Sequence, residues 1–199
     1  VWIRKTTGIR APAHFEFDAP TEPYNGMVLF IEGEKVHVSK ELLSMHSPVF
    51  KTMFYGPFDE EGKKAIPLKD VDPEEFREML RVLYPSRRAV TEDNVDLILK
   101  LGDRFQISVL VDQAEDFLLS SETPEERKLL LSDKYRLVKL QDKCLKRITN
   151  HNQVKKLKKT PEFDQLSEKT KSALLERMIE LVEGDDSDED DDEELLRFS

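Results

Sequence analysis

Cysteine is almost missing from this 199-residue chain. Cys144 is the only one, which excludes an internal disulfide framework and fits a reducing compartment. Long apolar runs are missing as well; none approaches the roughly 20 residues needed to cross a membrane, and no secretory leader is visible. There is no Gly-rich phosphate loop, no Gly-x-Ser-x-Gly elbow and no His-Glu-x-x-His pair, so the motifs of nucleotide, acyl-transfer and zinc chemistry are not represented. The four histidines, His14, His37, His46 and His151, are dispersed without cysteines at ligand spacing, and no metal or other cofactor is expected. Acidic pairs such as Asp59/Glu60 and Asp185/Asp186 fall in charged runs rather than in anything resembling a cleft. Nothing points to an enzyme.

Charge is plentiful but unevenly placed. Ten acidic and no basic residues lie between Glu183 and Glu194. Removing those ten from the 41 Asp and Glu leaves 31, which equals the 31 Lys and Arg. The body is thus formally neutral and the net charge of −10 belongs to the tail. A neutral body has no electrostatic footprint for nucleic acid. The tail, GDDSDEDDDEE within 184–199, cannot offset its ordering entropy by burial and is expected to be disordered. Ser187 lies in acidic surroundings that suit acidophilic kinases and is a candidate phosphorylation site. The lysine-rich run 154–163 could serve as a contact for the acidic tail or for an outside ligand. The chain opens on Val1 rather than methionine and is expected to be a piece of a longer one.

Along the chain, residues 1–25 hold Pro12, Pro20 and Pro23 and read as a linker after a short strand. MVLFIEG (27–33) and EKVHVS (34–39) predict a β-hairpin with Val36 and Val38 on one face. KELLSMHSPVFKTMFYG (40–56) predicts two short helices, the second capped by Ser47 with Pro48 at its start. IPLKDV (66–71) predicts a strand. Asp72-Pro73 opens a helix that carries Phe76, Met79, Leu80, Leu83 and Tyr84 inward and ends at Pro85. Segment 91–118 then repeats at 121–148 with an offset of 30. Leu99/Leu129, Leu101/Leu131, Asp103/Asp133, Leu110/Leu140 and Asp112/Asp142 are identical pairs. Each copy predicts a helical hairpin turning near Gly102 or Ser132, the second opened by a capping box at Thr123–Glu126. A further helix is expected over 167–182, with Leu174, Leu175, Met178, Leu181 and Val182 as its apolar stripe. The class is α+β: a short mixed sheet flanked by helical hairpins, then a helical extension.

This order of elements resembles a BTB/POZ domain. VHVSKELLSMHSPVFKTMF resembles that family's strand-to-helix signature, and VDPEEFREMLRVLYP resembles its next one. The resemblance covers 26–120. The unit at 121–148 is similar to the 3-box, or shortened BACK region, of cullin-3 adaptors, which sets 121–183 apart as an extension. VWIRKTTGI (1–9) resembles the end of a MATH domain in MATH–BTB proteins, especially the set expanded in nematodes. The resemblance implies a non-enzymatic adaptor of the ubiquitin-conjugation pathway in cytoplasm or nucleus. It would dock on the N-terminal region of cullin-3 and take a protein substrate through an upstream domain. It implies a cullin interface at Phe58, Asp59 and Glu60, in the loop GPFDEEGKK, with Tyr84 and Phe105 bordering it. Spacing alone leaves open that Phe58 folds back on its own helices and that Tyr84 and Phe105 are core.

Some family features are different here. Gly26 and Ser39 stand where many members carry Asp and His, and Lys40 lacks the acidic partner of the repressor pocket. Pro20 and Pro23 preclude the amphipathic helix that many dimeric members exchange. Leu42, Leu43 and Met45 are nevertheless candidates for a homodimer interface, which keeps a self-associating scaffold or transcriptional regulator as the alternative. DNA binding through the hairpins is disfavoured, because Asp112, Glu115 and Asp116 would face the groove.

Overall fold

A computed structural model describes residues 17–18, 27–56, 65–85 and 88–186, with side chains through Glu183. Strand β1 (Met27–Ile31) pairs antiparallel with β2 (Glu34–Val38) around a turn in which Gly33 takes φ +91°. Strict alternation turns Leu29, Ile31, Val36 and Val38 inward, all at most 1% exposed. β1 also pairs in parallel with β3 (Ala65–Leu68), which gives the sheet order β2-β1-β3. A parallel pair needs a crossover. Helices α1 (Lys40–His46) and α2 (Pro48–Tyr55) occupy that connection. Pro67 sits in β3 at the sheet edge, where a missing N–H costs little.

The first three helix starts are each fixed by a short polar side chain. Ser39 Oγ accepts the Leu42 N–H at 3.1 Å, and Ser47 Oγ accepts the Phe50 N–H at 3.0 Å. Asp72 Oδ1 accepts the Glu74 and Glu75 N–H groups at 2.9 Å each, opening α3 (Pro73–Leu83). The strand expected over 66–71 stops at Leu68, because Asp70 turns left-handed (φ +58°). Arg104, at the end of α4 (Val95–Arg104), secures that turn by donating to the carbonyls of Lys69 and Asp70.

Four phenyl rings build the centre of the first unit. Phe50 lies 4.7 Å from Phe105, 5.7 Å from Phe54 and 6.1 Å from Phe76, centroid to centroid. Phe50, Phe54 and Phe76 are fully buried and Phe105 is 2% exposed. The Ser47 hydroxyl, besides capping α2, donates to the Phe105 carbonyl.

Part of the expected linker is docked rather than free. The His37 N–H donates to the Phe17 carbonyl at 2.7 Å, and Phe17 is 4% exposed. Asp18 joins Glu34 and Glu74 around Arg77, whose side chain is 8% exposed. Burial alone would lower the Arg77 pKa, but hydrogen bonds and attraction from Glu34 and Asp18 together hold it above its ordinary value. A charge with this little access to water requires those partners.

The chain divides into two compact units, 1–114 and 115–199, with the boundary inside α5 (Ser108–Ser120). In the second unit, α6 (Glu125–Tyr135) and α7 (Val138–Lys146) form the second copy of the repeat. The buried Glu115 carboxylate accepts the Leu140 N–H at 3.0 Å, near the start of α7. Lys128 and Lys143 donate to the carbonyls of Ser121 and Leu119 at 2.7 Å each, where α5 ends. Three further helices follow: α8 (His151–Leu157), α9 (Pro161–Asp164) and α10 (Glu168–Asp186). Asn150 and Gln153 close a capping box on α8, turning the lysine-rich run into a helix the sequence pattern had not indicated. Asp133 accepts hydrogen bonds at 2.6 Å each from the Ser167 N–H, the Ser167 hydroxyl and the Thr170 hydroxyl, anchoring the start of α10. Burial would raise its pKa, but these bonds and the charge of Lys169 together hold it below the carboxylate range.

Two expectations need correction. The helix expected to end at Val182 runs to Asp186, into the acidic segment expected to be disordered, since adding residues to a formed helix costs little. Of its apolar stripe, Leu174 is buried at 2%, while Leu175 and Val182 are 58% and 55% exposed. The hairpin turns also lie further on than Gly102 and Ser132, which are inside α4 and α6. The left-handed residues are Gln106 (φ +52°) and Arg136 (φ +59°), again 30 apart. Ile107 N–H donates to Gly102 O at 2.8 Å, and Leu137 N–H to Ser132 O at 2.9 Å, so both copies turn identically. Gly102 is there for packing: a Cβ would meet Val111 Cγ2 at 3.1 Å. An L-residue held left-handed is strained by about 1–2 kcal/mol. Gln106→Gly and Arg136→Gly should therefore each stabilise the fold by about 0.5–1 kcal/mol in thermal or urea unfolding; a loss of stability would contradict this reading of the turns.

Candidate functional site

The surface built by α1 and α2 carries two of the most exposed large apolar side chains among the described residues. Met45 is 73% exposed and Tyr55 is 54% exposed. Both fall outside the inward stripe of Val49, Phe50, Met53 and Phe54, which fixes the phase of α2 against the core. Lys40 Nζ stands 4.1 Å from the Tyr55 ring centroid, a cation–π contact that ties the start of α1 to the end of α2. Among the described residues Lys40 thus has an aromatic partner rather than an acidic one. A shallow groove of about 460 Å³ lies alongside, lined among others by Leu42, His46, Leu83, Pro85, Arg88 and Gln113.

Tyr84 and Phe105 are both beneath this surface. Tyr84 is 5% exposed; its hydroxyl accepts the Ser39 N–H at 2.7 Å, and its ring meets Phe17 edge-on at 5.2 Å. Burial pushes its phenol up to about 12; the Ser39 N–H acts in the opposite sense and nearby Glu41 adds to the rise. Phe105 belongs to the four-ring cluster. Neither ring is a surface contact in this chain; both set the position of the helices that are. Leu43 is fully buried, which removes it from the surface expected for pairing, because it faces the core one residue after the half-buried Leu42. Of those three, Met45 and Leu42 remain accessible. Phe58, Asp59, Glu60 and Ser187 lie outside the described residues. The loop bearing the first three leaves α2 immediately after Tyr55 and Gly56 and enters the sheet at Ala65.

Cys144 is buried, and burial together with Glu125 pushes its thiol up to about 12, opposite to what a nucleophile needs. Among the described residues no group of three or more His, Cys, Asp or Glu could hold a metal ion, and no helix is long and apolar enough to cross a membrane. Tyr55 escaped the sequence reading because it follows the stripe without belonging to it; its place as the last helical residue before a polar loop was the available signal.

Tyr84→Phe leaves the buried Ser39 N–H without its acceptor and should cost about 1–3 kcal/mol in urea unfolding. The phenol's contribution has a defined pH window. A pKa raised from 10 to about 12 favours the folded state fully below pH 10 and is lost as pH rises through 12. Stability should fall across that interval in the parent chain and fall less steeply in Tyr84→Phe; parallel curves would contradict this.

The family model described as BTB/POZ domain matches residues 22–122. BTB and MATH domain-containing protein 38 of Caenorhabditis elegans is 42% identical over 183 residues, which cover 92% of this chain and 47% of the relative. BTB and MATH domain-containing protein 36 of the same worm is 36% identical over 184 residues, covering 92% of this chain and 58% of the relative. Kelch-like protein 40 of Xenopus laevis is 34% identical over 106 residues, 53% of this chain and 16% of that protein. The chain thus spans about half the length of the worm relatives. Among solved structures, the BTB domain of human Gigaxonin matches with a TM-score of 0.40 and 23% identity, over 48% of this chain and 79% of that one.

Proposed function

This chain belongs to the BTB/POZ domain family, a family of protein-interaction adaptors, and we propose that it is a substrate adaptor that docks on the N-terminal region of cullin-3 in a ubiquitin ligase, in cytoplasm or nucleus. The observation that carries the reading is the exposed edge at the end of α2. Tyr55, 54% exposed and braced by Lys40, leads directly into the loop with Phe58, Asp59 and Glu60. Partly exposed aromatics beside a charged, hydrogen-bonding rim are the composition of binding hot spots. In this reading Phe58 fills a pocket on the cullin, the Glu60 carboxylate accepts hydrogen bonds from it, and Tyr84 and Phe105 hold the supporting helices in place. A substrate-binding domain upstream, of the MATH type named in the worm relatives, completes the adaptor.

Titration calorimetry with the cullin-3 N-terminal domain tests this. Binding is expected at micromolar concentration or tighter. Phe58→Ala combined with Glu60→Ala should weaken it at least tenfold, about 1.4 kcal/mol, and Tyr55→Ala should weaken it several-fold. No heat at tens of micromolar, or indifference to the double substitution, would remove the cullin reading.

One observation favours self-association as a second role: Met45, 73% exposed, beside Leu42 on α1. Sedimentation should then show a dimer in the parent chain and a monomer in Met45→Asp. A strictly monomeric parent rules this role out.

A further inference from the structure

The second unit contains an apolar groove of about 420 Å³ that the adaptor reading does not use, within the size range of peptide and small-ligand sites. Leu129 of α6, Cys144 and Ile148 of and after α7, and Leu157 of α8 give it an apolar lining. Arg147 and Lys156 stand among the lining residues as cations, Glu125 and Glu126 as anions. Arg147 is ion-paired with Glu125. Lys156 is exposed, together with Lys155, Lys158 and Lys159, and none of the four has an ion pair among the described residues. The site therefore combines an apolar slot with a surplus of positive charge at one side. An acidic peptide carrying apolar side chains matches it.

The same chain contains such a peptide. The acidic run ends in Glu193-Glu194 and continues into Leu195-Leu196-Arg197-Phe198. We propose that this segment is the groove's ligand in cis. Leu195, Leu196 and Phe198 enter the slot, Glu193 and Glu194 face Lys156 and its neighbouring lysines, and Arg197 meets Glu126. The reach is sufficient. α10 packs against α7 and α8, and Arg177 Nε donates to the carbonyl of the groove residue Ile148 at 3.1 Å. From Arg177 to the end of α10 at Asp186 is about 14 Å of helix. The nine residues from Asp186 to Leu195 extend up to about 30 Å, enough to turn back to a groove beside Ile148. The acidic residues between become a charged strap along the lysines of α8, an attraction that salt weakens.

A fluorescent peptide with the sequence of residues 187–199 tests the assignment by anisotropy against the whole chain. The triple substitution Leu195→Asp, Leu196→Asp and Phe198→Asp disables the resident segment and changes none of the described residues. The peptide should bind that variant at least tenfold more tightly than the unmodified chain, whose groove is already filled, and more weakly at high salt. Lys156→Glu in the triple variant should lower the affinity several-fold, and a peptide with Glu193→Lys and Glu194→Lys should recover it. Equal binding to the triple variant and the unmodified chain, or none to either, overturns the proposal. So does self-association of the unmodified chain that the triple substitution abolishes, since the segment then sits on a second copy.

Discussion

Phe50 meets Phe54 from its own helix, Phe76 from α3 and Phe105 from the residue after α4. Everything on the α1–α2 surface depends on that contact. A Phe truncated to Ala in such a core costs about 3–5 kcal/mol, so the cluster sets the register of three helices at once. The Ser47 hydroxyl joins the same point from the polar side, capping α2 and donating to the Phe105 carbonyl. With the inward stripe of α2 fixed, Tyr55 has no place in the core and projects at the helix end. The loop with Phe58 and Glu60 begins from that position.

Much of this was readable in the sequence because it is local. Alternation in 27–39 gives the hairpin, Ser47-Pro48 and Asp72-Pro73 give helix starts, and the 30-residue offset gives two equal helical hairpins. The repeat extends to backbone detail: Gln106 and Arg136 are both left-handed, and Gly102 and Ser132 both accept the turn hydrogen bond. The turn itself was misplaced toward the small residues, because Gly102 signals conformational freedom in sequence but serves close packing against Val111 in space. The start of α8 was missed for a related reason. Asn150 and Gln153 carry its capping box, but four lysines nearby dominate the pattern.

Long-range polar contacts were not legible at all. Arg77 gathers Asp18, Glu34 and Glu74 from three separate segments, and no spacing rule connects them. Glu115 on the α7 start and Asp133 on the α10 start are likewise helix caps supplied from far along the chain. At the candidate site the division is similar. The loop residues were nominated by resemblance, whereas the exposure of Tyr55 and the burial of Tyr84, Phe105 and Leu43 follow only from three-dimensional packing.

The resulting picture is of a protein-interaction fold of the BTB/POZ family that presents an aromatic edge on a helical pair. Its central claim is that this edge, with the loop that follows it, is where the ligase arm docks. Hydrogen exchange of the chain with and without the cullin-3 N-terminal domain reads that directly. The account predicts slowed exchange concentrated in residues 53–66. Slowing confined to the hairpin 27–38, or no change anywhere in a mixture shown to form a complex, would contradict it.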